Sequence, residues 1–334
     1  SPDQQIAAVP YALQAEEALH AADADTLDGL DSTDLYTRAE VDALLVAQDA
    51  RIADLETKLA SVSLENGGED FVFTGVNVHV RDGSGDTGSD VNGLGNLIVG
   101  YDEARPSGSD KSGSHNLVVG RYHNYTSYGG FVAGSENTIS STYASVSGGR
   151  GNTASGYSSS VSGGLDNTAS ANYSSVSGGR YNVASGDYSS VLGGGGDAAD
   201  QGNEAWAHYS AIGGGRGNTA GDDAGTDRTV GEASVVLAGK SNQAEADLAA
   251  VSGGLENTAS GWYSSVNGGL GNTASGNRSS ISGGWLNTAS GYSSSVSGGL
   301  ENTASGDMSS VSGGYQRSVS GSYDWRAGSL FETQ

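Results

Sequence analysis

The sequence predicts a mainly β chain: a parallel β-roll, or β-solenoid, of 15-residue repeats, preceded by an α-helical coiled coil. Three observations carry this. A phrase of the form V-S-G-G-x-x-N-T-A-S-G-x-Y-S-S recurs from residue 137 onward, 55 of 334 residues are Gly, and the Gly-free segment 38–62 spaces its apolar residues in heptads. Ordinary chains hold roughly 7 % Gly and about 45–50 % apolar residues. Here the hydrophobic share is 35 %, with 4 Phe, 4 Trp and 1 Met, which argues against a single ordinary globule. Gly does not recur at every third position and only 3 Pro are present, so collagen is excluded. A disulfide scaffold is excluded by 0 Cys. Low hydrophobicity and a net charge of −24 would also suit a disordered chain. The strict periodicity argues against that.

The apolar residue before the Gly pair marks each repeat. Val146, Val161, Val176 and Val191 are 15 apart, as are Val251, Val266, Ile281, Val296 and Val311. Ile212 and Leu237 lie between, after steps of 21 and 25, which are 15 plus insertions of 6 and 10 read as loops on one edge. Asn137, Asn152, Asn167, Asn182, Asn257, Asn272, Asn287 and Asn302 keep the same spacing. This period is too short for a helix pair or a propeller blade and fits two short strands with two turns. Side chains alternate along a strand, so Val and Ala point inward while Ser and Thr point outward. The Gly pair supplies a corner of positive φ. The recurring Asn is expected to bond backbone groups at the second corner and to stack on its copy in the next coil. Looser markers at Ile98, Val118 and Val132 extend the count to 14 coils, a rod of roughly 65 Å. One Val and one Ala per coil make a thin interior, which predicts that a second face is buried by other copies of the chain.

In 38–62, a-positions fall on Leu45, Ile52 and Leu59 and d-positions on Val41, Gln48, Leu55 and Val62. Gln48 is the polar position that can fix register, and Arg51 with Glu56 has the spacing of an interchain ion pair in a parallel bundle. The hexapeptide Arg51-Ile52-Ala53-Asp54-Leu55-Glu56 fits R-h-x-x-h-E, a signature of short trimeric coiled coils. The helix is expected to end at ENGGE (65–69).

A trimeric coil joined to coils such as SVSGGLENTASG resembles the head repeats (Hep/Hag) of YadA-like trimeric adhesins, over residues 137–320. The resemblance implies a homotrimer of left-handed parallel β-rolls. The repeat departs from the typical head repeat, which is nearer 14 residues. The closing GSYDWRAGSLFETQ lacks the alternating strands of an outer-membrane barrel, so this chain is expected to lack the anchor domain and not to insert in a membrane. Trimeric fibres of phage tails and of predatory bacteria are similar in kind.

The expected organisation is a helical and acidic junction (1–33, with a helix from Pro10 to about Ala22), a coiled-coil stalk (34–64), transitional coils with long loops (65–134), the head repeats (135–320) and a cap (321–334) built on Tyr323, Trp325, Leu330 and Phe331. A start at Ser1 suits a processed or truncated product, and the lack of Cys suits an extracellular life.

Little chemistry is legible. A pI near 4.2 repels nucleic acid and anionic membranes. GSGDTG (83–88) fits G-x-G-x-x-G, a pattern expected by chance at this glycine content. His20, His79, His115, His123 and His208 form no Ser/His/Asp grouping, so no enzyme is expected; His115 and His123 could share a metal across coils. Asp82, Ser84, Asp86 and Asp90 are a Ca2+ candidate outside the EF-hand register, and no other cofactor is implied. A threonine ladder from Thr138 to Thr303 resembles those of ice-binding solenoids. The position after each S-G varies most (Tyr157, Asp187, Trp262, Asn277, Tyr292, Asp307), and aromatics recur beside it. Tyr157, Tyr173, Tyr188, Trp262, Tyr263 and Tyr292 are therefore the candidate surface for a glycan or protein ligand of a host or matrix. The expected function is a non-catalytic trimeric fibre or adhesin head on a bacterial cell surface, with a phage-type tail fibre as the alternative and an ice-binding solenoid third.

Overall fold

The computed structural model describes residues 37–222 and 226–327, so the junction helix, Leu330 and Phe331 fall outside the described residues. The chain divides at residues 79/80 into two units, described separately.

The first unit contains α1 (Arg38–Leu59) and a hairpin of β1 (Val62–Glu65) and β2 (Asp70–Phe73). A capping box starts α1: Thr37 Oγ1 accepts from Glu40 N–H, and the Glu40 carboxylate accepts from Thr37 N–H. Lys58 near the other end pairs with Asp54 at 2.6 Å. The helix stops earlier than its heptads predict. Val62, expected at a d-position, instead begins β1 and pairs with Phe73. The alternation Val62-Ser63-Leu64 favours a strand over another helical turn. ENGGE is the hairpin turn rather than the helix end, with Gly67 at φ 73°.

The second unit is a parallel β-solenoid. Its valine sheet has 15 strands, from Leu97–Val99 to Trp325–Arg326, and its alanine sheet has 13, from Asn124–Tyr125 to Ser318–Val319. Most strands are two residues long and pair in register with the same residues one coil away, as Val161 with Val146 and Val176. A third side was not anticipated. Single-residue bridges run Ser135–Arg150–Leu165–Arg180–Gly195 and Arg216–Lys240–Leu255–Leu270–Trp285–Leu300–Tyr315. Each coil therefore has three sides.

Val146, Val161, Val176, Val191, Ile212, Val251, Val266, Ile281, Val296 and Val311 are buried as expected, opposite the Ala of each alanine strand. Leu237 is the exception: Val236 occupies the inward slot at 0 % exposure, opposite Ile212, and Leu237 stands outside at 56 %. The β-branched residue takes the tight slot, so the step from Ile212 is 24 and the insertion is one residue shorter than read. The two insertions also occupy different corners. Residues 196–202 follow a valine strand, whereas 222–232 follow an alanine strand. At the C-terminal end, Tyr323 and Trp325 do not fold over the core as a cap. They are exposed on one more ordinary coil, where Arg326 takes the valine slot.

The asparagines run unbroken through the interior. Asn203, Asn218 and Asn242 fill the places the sequence reading left empty around the insertions. Asn272 is typical. Its Nδ2 donates to Asn257 Oδ1 (3.1 Å), Gly268 O (2.9 Å) and Gly284 O (2.9 Å), and its Oδ1 accepts from Asn287 N–H and Nδ2 (3.0 Å each). The glycines at these corners are obligatory. Gly254 sits at φ +93°, where a Cβ would also collide with the Gly269 carbonyl and the Asn257 amide.

Asn272→Leu leaves the Gly268 carbonyl and the Asn287 N–H without partners, at about 1–3 kcal/mol each, and takes from the Gly284 carbonyl one of its two donors, the other being Leu270 N–H. Thr273→Val alters only a half-buried outward position and should stay within about 1 kcal/mol. Denaturant unfolding of the two variants should differ by several kcal/mol; equal losses would remove the ladder from its structural role.

Candidate functional site

Two slots per coil bend the chain with positive φ; one is held by Gly in some coils, as at Gly151, Gly217 and Gly271, and the other holds the tyrosines: Tyr143, Tyr173, Tyr188, Tyr209 and Tyr263 lie at φ 57–60°. Their backbones repeat at the coil spacing, so their rings meet. Tyr173, Tyr188 and Tyr209 stack face to face at 4.9 and 5.0 Å, with interplanar angles of 9° and 2°. In the coil before them Ser158 takes the slot, and Tyr157, one position earlier, turns its ring edge-on between Tyr143 (5.7 Å) and Tyr173 (5.5 Å). Tyr128 extends the series. Of the candidate surface, Tyr157, Tyr173 and Tyr188 thus come together. The rings meet edge-on or face to face while each stays between 39 % and 51 % exposed.

Trp262, Tyr263 and Tyr292 lie further along. Trp262 and Tyr263 touch at 4.8 Å with rings tilted by 56°, and Trp262 stays 46 % exposed. Tyr292 accepts from Arg278 Nη1 through its hydroxyl at 2.6 Å.

The variable position after S-G follows a rule that the sequence reading missed. A side-chain acceptor in one coil caps the backbone N–H of the same position in the coil before: Asn172 Oδ1 for Tyr157, Asp187 Oδ1 for Asn172, His208 Nδ1 for Asp187, Asn277 Oδ1 for Trp262 and Asp307 Oδ1 for Tyr292. The aromatic–Asx alternation at 262, 277, 292 and 307 was its signal in the sequence.

Shallow grooves follow this row on either side of the 222–232 insertion. One, of about 480 Å³, runs past Ser155, Tyr157, Ser170, Asn172 and Asp187 to Arg228. The other, of about 420 Å³, is bounded by Thr229, Val230, Asp247, Ser260, Trp262 and Asn277. Arg228 anchors the insertion: its guanidinium donates to the Ser185 and Trp206 carbonyls and lies 4.0 Å from the Trp206 ring centroid.

The metal candidates are not assembled. Among the described residues no three His, Asp or Glu side chains gather to hold a cation. Asp82 Oδ1 accepts from Ser84 N–H (2.9 Å) and Ser84 Oγ (2.7 Å), an Asx turn, and these bonds hold its carboxyl below the usual range. His115 faces Asp82 at 3.5 Å, and Asp86 caps Gly88 N–H. Asp90 is not part of the small hollow around Asp82 and Asp86. No helix follows GSGDTG. The threonine ladder is interrupted by Val183, Glu204 and Gln243 in the outward slot.

His123 is no metal ligand either, but the first rung of the asparagine ladder. Its Nδ1 accepts from Asn137 N–H (3.3 Å), as Asn137 Oδ1 does from Asn152, and its Nε2 faces Val119 O (3.0 Å). Burial pushes its imidazole below the usual range. As pH falls through the unfolded value of about 6.5, the unfolded chain takes a proton that the fold refuses, so stability drops. His123→Asn should keep the stability at neutral pH and shrink the loss between about pH 7.5 and 5; an unchanged pH profile in urea unfolding would show that His123 does not set it.

Compared with known proteins, the chain matches no family model and no curated sequence.

Proposed function

We propose that the chain is a non-catalytic, homotrimeric extracellular fibre or adhesin head of bacterial-surface type, its rolls left-handed like those its phrase resembles, and that it attaches the surface bearing it to a host or matrix ligand. One observation carries the reading: α1 buries none of its residues, although Val41, Leu45, Ile52, Leu55 and Leu59 recur at core positions of a heptad. Large apolar groups at that spacing in water call for partner helices, and Gln48, Arg51 and Glu56 supply the register and interchain charge pairing. A second feature supports it. Leu255, Leu270, Trp285, Leu300 and Tyr315 line the third side of consecutive coils as an outward ladder, a surface for other copies of the roll. An acidic, repetitive solenoid suits attachment rather than turnover. No helix among the described residues is long and apolar enough to cross a membrane.

Light scattering should give three times 33.4 kDa; a stable monomer would sink the reading. Ile52→Ala/Leu55→Ala removes six large side chains per trimer, each costing ~2–5 kcal/mol where buried. With the clamp gone, the trimer must form through the rolls alone, so the β signal in circular dichroism should melt at temperatures that depend on protein concentration. Unchanged melting would reduce α1 to a spacer. Binding of the wild-type chain to a glycan and matrix-protein array tests the attachment role itself.

A further inference from the structure

We propose that the row Asp247, Trp262, Asn277, Tyr292 and Asp307 is a binding cleft for an extended, uncharged, β-1,4-linked polysaccharide. The proposal rests on the reading of the chain as an attachment protein and names its ligand class.

The five residues occupy the same position in five consecutive coils, as their in-register strands show. Trp262 and Tyr292 are therefore two coils apart, roughly 10 Å at about 4.8 Å per coil. In a β-1,4-linked pyranose chain each ring is turned over relative to the last, so the same face recurs at every second ring, at close to that interval. Two aromatic platforms at this separation meet alternate rings of one ribbon. Both remain accessible, at 46 % and 39 % exposure. The C–H face of a pyranose packs on an aromatic face, and the ring hydroxyls then turn sideways, where Asn277 lies between the platforms and Asp247 and Asp307 flank them. An α-1,4-linked chain curls and cannot keep this register over several coils.

The polar groups are held in place before any ligand arrives. Asn277 Oδ1 accepts from Trp262 N–H (3.1 Å), Asp307 Oδ1 from Tyr292 N–H (3.0 Å) and Asp247 Oδ1 from Gly231 N–H (2.9 Å). Fixed side chains reduce the ordering cost of binding. Arg278 donates to the Tyr292 hydroxyl and its guanidinium lies over one face of that ring, 5.6 Å from the centroid, so a sugar would take the other face. Thr229 and Val230 of the insertion wall the groove beside Asp247 and Trp262. Charge selects the class further: two carboxylates in the row and a net charge of −24 repel an anionic polysaccharide. The tyrosine series before the insertion lacks this arrangement, since Tyr173, Tyr188 and Tyr209 stand in successive coils and stack directly on one another, with no coil between two platforms.

The test is calorimetric titration of the whole protein with cellohexaose and chitohexaose, against maltohexaose and polygalacturonate. The two β-1,4 hexamers should bind, with little dependence on salt, and the other two should not. Trp262→Ala should weaken binding at least tenfold and Tyr292→Ala several-fold, whereas Trp325→Ala on the terminal coil should leave it unchanged. Trp262→Ala keeps the backbone N–H that Asn277 caps, and an unaltered circular dichroism spectrum identifies a folded variant; Trp262→Phe should restore part of the affinity. Failure of both hexamers to bind, equal binding of maltohexaose, or full affinity in Trp262→Ala overturns the cleft. The attachment reading fails separately, by a monomeric mass in light scattering and no binding anywhere on a matrix array; a trimer that binds matrix proteins but neither hexamer overturns the cleft alone.

Discussion

The buried asparagine amide is the interaction on which the rest of this structure depends. A solenoid with two-residue strands has little sheet to hold it together, and its tight corners turn glycine carbonyls inward toward the buried asparagines. Each amide answers both problems. Its NH2 binds the carbonyls of its own corner and of the next coil, and its oxygen receives the next asparagine. Bonds in such a chain polarise one another in the low dielectric of the interior. The geometry leaves no room at the corner, so the glycine period and the asparagine period are one requirement. The ladder also explains why insertions do no damage. Asn182 hands on to Asn203, and Asn218 to Asn242, in the bonding used between ordinary coils, and the extra residues leave at a corner.

Much of this was legible because a repeat states each inward position many times over. The valine and alanine slots, the glycine corner and the asparagine were read from the phrase itself. The misreadings occur where the phrase is interrupted. In Val235-Val236-Leu237 three apolar residues compete for one inward slot, and only the register with Ile212 selects Val236. Asn203 and Asn242 were missed because Glu and Gln replace the following Thr, although the Ala after it persists at Ala205 and Ala244. His123 was misassigned since an imidazole can accept an N–H where an amide oxygen otherwise would, an equivalence of geometry invisible to residue type. At the end of α1, heptad periodicity and strand alternation both fit Val62, and local pairing with Phe73 decides. The third side of the coil rests on single bridges, too short for strand alternation within one coil, although its apolar residues recur from coil to coil at Leu255, Leu270, Trp285, Leu300 and Tyr315.

With the interior settled by Asn, Gly, Val and Ala, outward positions are released from packing and can differ from coil to coil. They are not released from hydrogen bonding. At the position after S-G the backbone N–H is capped where the next coil carries Asn, Asp or His, and an aromatic ring offers no such acceptor. An aromatic can stand there when the following coil supplies Asn or Asp, as Asn277 does for Trp262 and Asp307 for Tyr292. A residue followed one coil on by an aromatic forgoes the cap, whether it is itself aromatic or, like Asp247 before Trp262 and Asn277 before Tyr292, an Asp or Asn. Hydrogen bonding thus permits an aromatic in every second coil without requiring it, since successive polar residues cap one another as well, Asp187 capping Asn172 and His208 capping Asp187. The spacing of the aromatic platforms, and with it the repeat length a polymer must have to lie along them, is set by the rise of the coil and by which outward positions hold an aromatic.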